Sequence, residues 1–228
     1  MCTVSFIVRQ RGYLLGMNRD EQLSRVPGLP PGEIPMDGRL VVCPSEPGCG
    51  TWISLNDTRV AFALVNWYSI KSRIRNDGVS RGTVVRAVAA QISQASASRI
   101  LSGLPLKRVN PFRLIGVFPA QARIWEWRWN QKALACVAHP WKSRQWISSG
   151  YDEPAAQCQR SRTFERALGQ KGAGSRAWLR RLHRSHVPER GPFSICMHRA
   201  DAATVSYTEI SVSGRRTAMA YWAGAPCQ

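Results

Sequence analysis

Long hydrophobic segments are missing from this sequence of 228 residues. No run of uncharged apolar residues approaches the roughly 18 that a transmembrane helix needs, so we expect no membrane span. The first apolar run, Val4 to Val8, is short and is followed by Arg9 and Arg11, which is not the pattern of a secretory signal. With 44% hydrophobic residues, the chain is long enough to form one domain with a substantial core.

Cysteine and histidine patterns typical of disulfides or metal sites are also missing. The seven cysteines are an odd number at irregular spacing, so reduced thiols in the cytoplasm are the simplest interpretation. Of the four histidines only His183 and His186 are close, and the arginines around them would repel a divalent cation. Cys43-Pro44 is a dipeptide sometimes associated with haem ligation, but it is more typical of a turn. The sequence therefore predicts no metal site and a cytoplasmic protein.

Acidic residues are scarce, and they leave a net charge of +18. Eleven Lys or Arg against four Asp or Glu lie between Lys142 and Arg190. Such a field attracts anions, such as an acyl conjugate, acyl-CoA, haem or an acidic membrane face contacted peripherally. Alternatively, the arginines reflect a GC-rich coding sequence. No P-loop, Rossmann loop, zinc finger or RNP-type motif is present, so we expect no specific nucleic-acid partner.

Alternating apolar residues and turn signals predict more strands than helices. Residues 2–8 and 12–18 form a hairpin that places Cys2 and Asn18 at the same end and brings Asp20 close to Cys2. Further strands are predicted at 51–55, 59–66, 111–118, 122–129, 133–138, 193–198, 203–212 and 217–222. Helices are predicted at 79–100, 157–169 and 175–186, and loops at 27–38 and 44–50. Trp125, Trp127 and Trp129 share one strand face, which we interpret as core rather than as a ligand platform.

Cys2 is the most informative residue because it directly follows the initiator methionine. Cysteine is small enough for aminopeptidase removal of Met1, which would leave a thiol and a free α-amine on one residue. The α-amine has a pKa of about 7.7–8.0, so its unprotonated form can accept the thiol proton. In the alternative interpretation, Cys2 is a small buried hydrophobic residue.

Four sequence blocks resemble the NRDE family, to which the transport and Golgi organization 2 protein belongs. They are Gly12 to Glu21 with its Asn18-Arg19-Asp20-Glu21, Gly50–Ile53 with Ala63–Trp67, Val79–Gly82, and Phe193–Cys196 through Ala225–Cys227. The family's fold is similar to that of N-terminal nucleophile hydrolases, particularly choloylglycine hydrolases and penicillin V acylases. The resemblance implies a single α+β domain over residues 1–228, in which antiparallel sheets form a four-layer αββα sandwich.

The resemblance also implies catalytic roles for four residues. Cys2 would attack an amide or thioester carbonyl, and Asp20 would hold and orient the ammonium form of its α-amine. Asn66 would donate to the oxyanion through its side-chain amide. Arg19 would lower the thiol pKa or bind a substrate anion, although the hydrolases carry this arginine at the position of Met17.

Three further residues are predicted to contact substrate: Asn18, Glu21 and Trp67. Alternatively, Asn18 bonds to backbone at a strand end and Glu21 pairs with a surface arginine. Two departures weaken the likeness to the hydrolases. Ile147–Gly150 supplies hydroxyls where those enzymes carry a second asparagine, and their late arginine has no counterpart around Val205–Thr208.

Two functions from different classes remain. The first is a cytoplasmic cysteine-nucleophile hydrolase, requiring no cofactor, that cleaves a non-peptide amide or thioester bond of an anionic acylated small molecule. The second is a binding and trafficking protein for haem or acyl-CoA-type lipids that has the same fold without turnover. Both functions need a pocket and a basic surface, so the sequence alone does not separate them.

Overall fold

The computed structural model describes residues 2–74 and 78–228. The strands in these residues are β1 (Cys2–Arg9), β2 (Gly12–Gln22), β3 (Leu29–Met36), β4 (Arg39–Ser45), β5 (Ile53–Asn56), β6 (Ala61–Asn66), β7 (Phe112–Phe118), β8 (Arg123–Trp129), β9 (Leu134–Pro140), β10 (Arg144–Ser148), β11 (Ala202–Ser213) and β12 (Arg216–Ala223). The α-helices are α1 (Gly82–Val88), α2 (Gln94–Gly103), α3 (Glu153–Leu168) and α4 (Arg176–His183). This is the α+β composition that the sequence predicts. No helix in the described residues is long and apolar enough to span a membrane.

The chain divides into two compact units, each built on one antiparallel sheet. The first unit combines the N-terminal segment up to Pro27 with Lys142–Gln228, and the second is Gly28–Trp141. The strand order is β10-β1-β2-β11-β12 in the first unit and β3-β4-β5-β6-β7-β8-β9 in the second. The prediction that residues 1–228 form a single domain stays a prediction.

The first unit packs its two helices against the β1–β2 hairpin. Ile7 and Leu14 of the hairpin belong to one buried cluster with Phe164 of α3 and with Trp178 and Leu182 of α4. Both helices start with a side-chain cap, since Asp152 accepts from the Ala155 amide and Ser175 from the Trp178 amide. The predicted hairpin and both predicted basic helices are therefore confirmed.

Gly16 allows α4 to approach β2 closely. A Cβ at this position would lie 2.9 Å from Nε2 of His183 and 3.1 Å from the hydroxyl of Tyr207. A larger residue would therefore push the last turn of α4 away from the sheet.

The second unit buries its tryptophans under α1 and α2. Trp127 and Trp129 are buried in one cluster with Val85 of α1 and Leu101 of α2, and Trp125 packs against the same cluster. The predicted core role of this strand face is therefore confirmed. In the middle of the same sheet, β6 ends at Asn66, which pairs with Phe112 of β7.

The predicted loop at 27–38 is wrong, because β3 occupies most of it and pairs with β4. Pro30, Pro31 and Pro35 suggested a loop, since proline cannot donate to a sheet ladder. However, β3 lies at the end of the strand order, where one side of a strand needs no partner. Proline is tolerated at such an edge.

The single helix predicted at 79–100 is also wrong, because the chain breaks into α1 and α2. Ser93 caps α2 by accepting from the Ser96 amide. Asn56 donates from Nδ2 to the carbonyls of Ala89 and Gln91, at 3.2 and 3.1 Å. These bonds satisfy backbone carbonyls just beyond α1, so ending the helix there leaves few orphaned groups.

Two errors concern strands of the first unit. The predicted strand at 193–198 is a series of bends, with an isolated bridge between His198 and Ala203. Ser194 accounts for part of this, since its hydroxyl bonds to the carbonyls of Cys196 and Gly191 at 2.6 and 2.9 Å. Conversely, β10 was not predicted, although it pairs with β1 along its length.

Candidate active site

Cys2 begins a strand that has neighbours on both sides. It pairs with Arg19 on β2 and with Ser148 on β10, and only 7% of it is exposed. Its backbone N–H donates to Oγ of Ser148 at 2.9 Å. Met1 lies outside the described residues. The atom that would become the α-amine on removal of Met1 therefore has a hydroxyl oxygen beside it.

The environment of Cys2 keeps its thiol protonated. Burial raises the pKa of this thiol, and the negative charge of Asp20 raises it further. The positive charge of Arg19 and the backbone N–H of Asp20 act in the opposite direction, but the pKa remains above its ordinary value. A thiol of this kind needs a neighbouring base before it can attack a carbonyl.

Asp20 is fully buried and held through both carboxylate oxygens. Oδ2 lies 3.2 Å from Nη1 of Arg160, and Oδ1 accepts from the Thr204 hydroxyl at 2.7 Å. Arg160 is itself only 1% exposed, and it also donates to Thr3 Oγ1 at 2.7 Å and to the Pro192 carbonyl at 3.1 Å. The guanidinium of Arg160 therefore contacts three segments: β1 at Thr3, β2 at Asp20, and the segment before Cys196 at Pro192.

Sequence reasoning missed Arg160, and it named Ser148 only as part of the stretch Ile147–Gly150. Arg160 lies in a stripe of buried α3 residues with Ala156, Phe164 and Ala167. A charged residue at helical spacing within an apolar stripe is the signal that could have identified it. The late arginine of the hydrolases has no counterpart around Val205–Thr208. In this chain Arg160 of α3 brings a guanidinium to Asp20. Ser148 lies in the stretch where the resemblance expects an asparagine.

Arg19 and Glu21 form an ion pair near the start of the chain. Arg19 Nη2 lies 3.3 Å from Glu21 Oε2, and Arg25 Nη1 lies 2.9 Å from the same oxygen. Burial raises the pKa of Glu21, but the pKa is lower than its ordinary value overall, and the Gln22 amide and the charges of Arg25 and Arg19 contribute to that lowering. Glu21 thus pairs with arginines, as in the alternative interpretation, and its contact with substrate stays a prediction.

The side chain of Asn18 forms hydrogen bonds to residues of α4 and of the segment before β11. Its Nδ2 donates to the carbonyls of His183 and Ile195, both at 2.9 Å, and its Oδ1 lies 2.9 Å from His183 Nδ1. The other ring nitrogen of His183 lies 3.0 Å from Ser5 Oγ. Complete burial lowers the pKa of His183 to about 3, so the ring is neutral at ordinary pH. These contacts match the interpretation of Asn18 as a residue that bonds to backbone.

Asn66 and Trp67 belong to the second unit. Asn66 ends β6 as predicted, and its Nδ2 donates to the hydroxyl of Tyr68 at 2.8 Å. The Trp67 amide donates to the Pro111 carbonyl at 3.2 Å. Tyr68, which the sequence did not single out, has the Arg73 guanidinium 5.3 Å from its ring centre. The oxyanion role of Asn66 and the substrate contact of Trp67 stay predictions.

Comparison with known proteins identifies the fold. No protein-family model matches the chain, and a search of curated proteins gives no match. A penicillin V acylase from Agrobacterium tumefaciens superposes with a TM-score of 0.57 at 12% identity, covering 98% of this chain and 83% of that one. The C2A mutant of a conjugated bile acid hydrolase from Clostridium perfringens gives the same TM-score at 8% identity, with 98% and 92% covered. The chain therefore has the α+β fold of these two structures.

Proposed function

We propose that this chain is an N-terminal nucleophile hydrolase of the NRDE family in which Cys2 becomes the reactive residue after removal of Met1. Its substrate would be an amide or thioester of an anionic acylated small molecule. The observation that carries the proposal is the placement of Cys2. Its backbone nitrogen lies 2.9 Å from Ser148 Oγ, and the charges of Asp20 and Arg19 act on the pKa of its thiol. The NRDE assignment is supported by the four sequence blocks described above.

The raised thiol pKa makes the α-amine the important base in this mechanism. The unprotonated amine would accept the thiol proton, and the thiolate would attack the substrate carbonyl. The tetrahedral oxyanion would then collapse as the ammonium returns its proton to the leaving amine or thiol. This leaves an acyl thioester on Cys2. Water would attack that thioester with the amine again as base, releasing the acid and restoring the thiol.

Asp20 and Arg160 would act as positioning residues for the amine. A carboxylate near the amine favours its ammonium form, which the mechanism needs when the leaving group departs. Arg160 balances part of this charge, so the amine is not held permanently protonated. The Ser148 hydroxyl would orient the nitrogen toward the thiol.

As the resemblance to the choloylglycine hydrolases implies, Asn66 would donate to the oxyanion. A side-chain amide carries two N–H donors, and the contact with Tyr68 Oη uses one of them. Such a donor typically contributes about 2.7–4 kcal/mol to lowering a barrier of this kind.

The preference for an anionic substrate is supported by the distribution of charge. Arg162 and Arg166 of α3 and Arg181 of α4 are exposed, and the whole chain carries a net charge of +18. A positive field raises the local concentration of anions and speeds their association. The two structural neighbours are, by name, an acylase of penicillin V and a hydrolase of conjugated bile acids.

A panel of N-acyl amino acids, N-acyl taurines and acyl thioesters tests this function. We expect the wild type to release acid from at least one of them and Cys2→Ala to release none. Cys158→Ala is the matched control, because Cys158 is exposed on α3 and should be dispensable. Equal turnover by Cys2→Ala and the wild type would contradict the proposal.

Binding of haem or acyl-CoA without turnover stays the second prediction of the sequence. A haem titration that shifts the Soret band at one equivalent, in a protein that cleaves none of the panel, would favour that function over hydrolysis.

A further inference from the structure

Four side chains with metal-binding atoms converge in the first unit, outside the site of Cys2. They are His186, Cys196, His198 and Cys227, and their ligand atoms all lie within 4.8 Å of one another. Nε2 of His198 lies 3.3 Å from Nε2 of His186, 3.5 Å from Sγ of Cys196 and 3.4 Å from Sγ of Cys227. The nitrogen of His198 thus faces all three other ligand atoms.

The three separations from His198 match three edges of a zinc tetrahedron. Zinc binds imidazole nitrogen at about 2.0–2.1 Å and thiolate sulfur at about 2.3 Å. At tetrahedral angles, those bond lengths place two nitrogens about 3.3–3.4 Å apart and a nitrogen and a sulfur about 3.5–3.6 Å apart. The distances from His198 agree with both values to within about 0.2 Å, which is the tolerance applied to metal–ligand bond lengths. A combination of two cysteines and two histidines is also a common ligand set of structural zinc.

Backbone hydrogen bonds hold two of the four ligands in place and connect one of them to the neighbour of a third. The amide of Cys196 donates to the Ser185 carbonyl at 3.0 Å, next to His186, so those two ligands are joined through the main chain. The amide of His198 donates to the Gly191 carbonyl at 3.2 Å. These bonds anchor the chain on which Cys196 and His198 lie, and the first of them connects this chain to the residue before His186.

Cys227 reaches the cluster from the C-terminal segment. Just before it, the Gly224 amide donates to the Val205 carbonyl of β11 at 2.9 Å, and just after it the Gln228 amide donates to the Ala225 carbonyl at 3.1 Å. The segment thus turns back on itself after leaving the sheet. This turn directs the cysteine toward the ligands that precede β11.

The charge balance permits a cation despite the arginines nearby. Two thiolates and two neutral imidazoles around Zn²⁺ give a site with no net charge, so repulsion from neighbouring arginines is weak. Arg190 Nη2 lies 3.4 Å from Nδ1 of His198, a nitrogen that carries a proton when Nε2 binds metal. Arg190 is exposed, and its side chain can turn into solvent to relieve this contact.

We infer that His186, Cys196, His198 and Cys227 bind one zinc ion in a closed, tetrahedral, structural site. Binding releases one proton from each thiol and leaves no position for water or substrate. The ion would join the end of the C-terminal segment to the chain that follows α4. This departs from the sequence prediction of no metal, which considered His183 with His186. The structure directs His183 toward Asn18 and pairs His186 with His198 instead.

Hydrogen bonds connect the proposed zinc site to Asp20 through Met197 and Thr204. Met197, between two of the proposed ligands, donates its amide to the Thr204 hydroxyl at 2.9 Å, and that hydroxyl donates to Asp20 at 2.7 Å. Zinc would therefore stabilise the position of a residue that contacts Asp20. The inference itself rests on the ligand geometry and not on the proposed function.

Metal analysis of untagged protein, purified without chelator from zinc-supplemented cells, tests the inference. We expect about one zinc per chain in the wild type and in Cys158→Ser, and at least a tenfold lower content in Cys227→Ser and His186→Ala. Cys158 is the matched control because it is exposed on α3 and lies outside the cluster. Zinc content in Cys227→Ser and His186→Ala equal to that of the wild type would overturn the inference.

Cobalt substitution in the wild type gives a readout that does not depend on variants folding. Chelated protein reloaded with one equivalent of Co²⁺ should show intense visible bands of tetrahedral cobalt and a near-ultraviolet thiolate charge-transfer band. Wild-type protein without zinc that also gives no such spectrum would overturn the inference. So would a wild-type intact mass lower by two hydrogens in which Cys196 and Cys227 form a disulfide.

Discussion

Replacing Arg160 with methionine should strongly destabilise the first unit. Asp20 and Arg160 are both buried, at 0% and 1% exposure, with 3.2 Å between Oδ2 and Nη1. Methionine retains most of the length and apolar volume of the side chain, so the main change is a buried carboxylate that has lost its guanidinium partner. Removing one partner of a buried ion pair costs about 3–5 kcal/mol. The variant also loses donors to Thr3 Oγ1 and to the Pro192 carbonyl.

The double variant Asp20→Asn with Arg160→Met separates the charge effect from packing. It removes both charges, so it should be more stable than Arg160→Met alone, and the coupling energy between the two changes should exceed about 1 kcal/mol. Arg162→Met is the matched control, because Arg162 is exposed on the same helix. A surface change of this kind should alter stability by no more than about 0.5 kcal/mol.

Urea denaturation with hydrogen exchange of the β1 and β2 amides is the assay, because it reports on the first unit itself. We expect Arg160→Met to lower the free energy of opening of these strands by about 3–5 kcal/mol. A loss below about 1 kcal/mol would contradict a stabilising role of this buried ion pair. Strict additivity of the two single changes in the double variant would also refute it, since the pair would then have no energetic coupling.

Three further outcomes are expected. Ser148→Ala removes the acceptor of the Cys2 nitrogen and should lower kcat, with little change in KM, by about tenfold, corresponding to about 1.4 kcal/mol; an unchanged kcat would contradict the orienting role. Arg19→Gln should raise the pKa of the Cys2 thiol and Asp20→Asn should lower it, because the two charges act on this pKa in opposite directions. The pH dependence of Cys2 alkylation by iodoacetamide measures both shifts. Shifts of the same sign in the two variants would contradict this assignment. Burial lowers the pKa of His183 to about 3, so the unfolded chain binds the extra proton between about pH 6.5 and 3 and stability falls as the pH decreases through that range. At pH 4.5 this residue should reduce the free energy of unfolding by about 2–3 kcal/mol relative to pH 7, and His183→Gln should lack that component in urea titrations at the two pH values.

The parts of the fold that follow from local patterns were predictable from the sequence. Alternation in the first 18 residues places Cys2 and Asn18 at the same end of a hairpin, and the pairing of Cys2 with Arg19 and of Thr3 with Asn18 agrees with this. The spacing of Trp127 and Trp129 likewise predicts a buried strand face, because side chains alternate strictly along a strand.

The remainder depends on contacts between distant residues. Prolines in β3 suggest a loop unless the strand is known to lie at an edge. The break between α1 and α2 depends on Asn56, which is 33 residues before its partner Ala89. The pairing of Arg160 with Asp20 spans 140 residues, and the contact of His198 with Cys227 spans 29. A pattern in neighbouring residues does not predict contacts between residues this far apart in the sequence.

Intact mass spectrometry of the purified protein, before and during turnover, tests whether Cys2 is an N-terminal nucleophile. We expect a chain that lacks Met1 and gains the mass of the substrate acyl group on the peptide beginning at Cys2, whereas Cys2→Ala gains none. Retention of Met1 in protein that cleaves substrate, or acylation at another residue, would contradict the assignment of Cys2 as an N-terminal nucleophile.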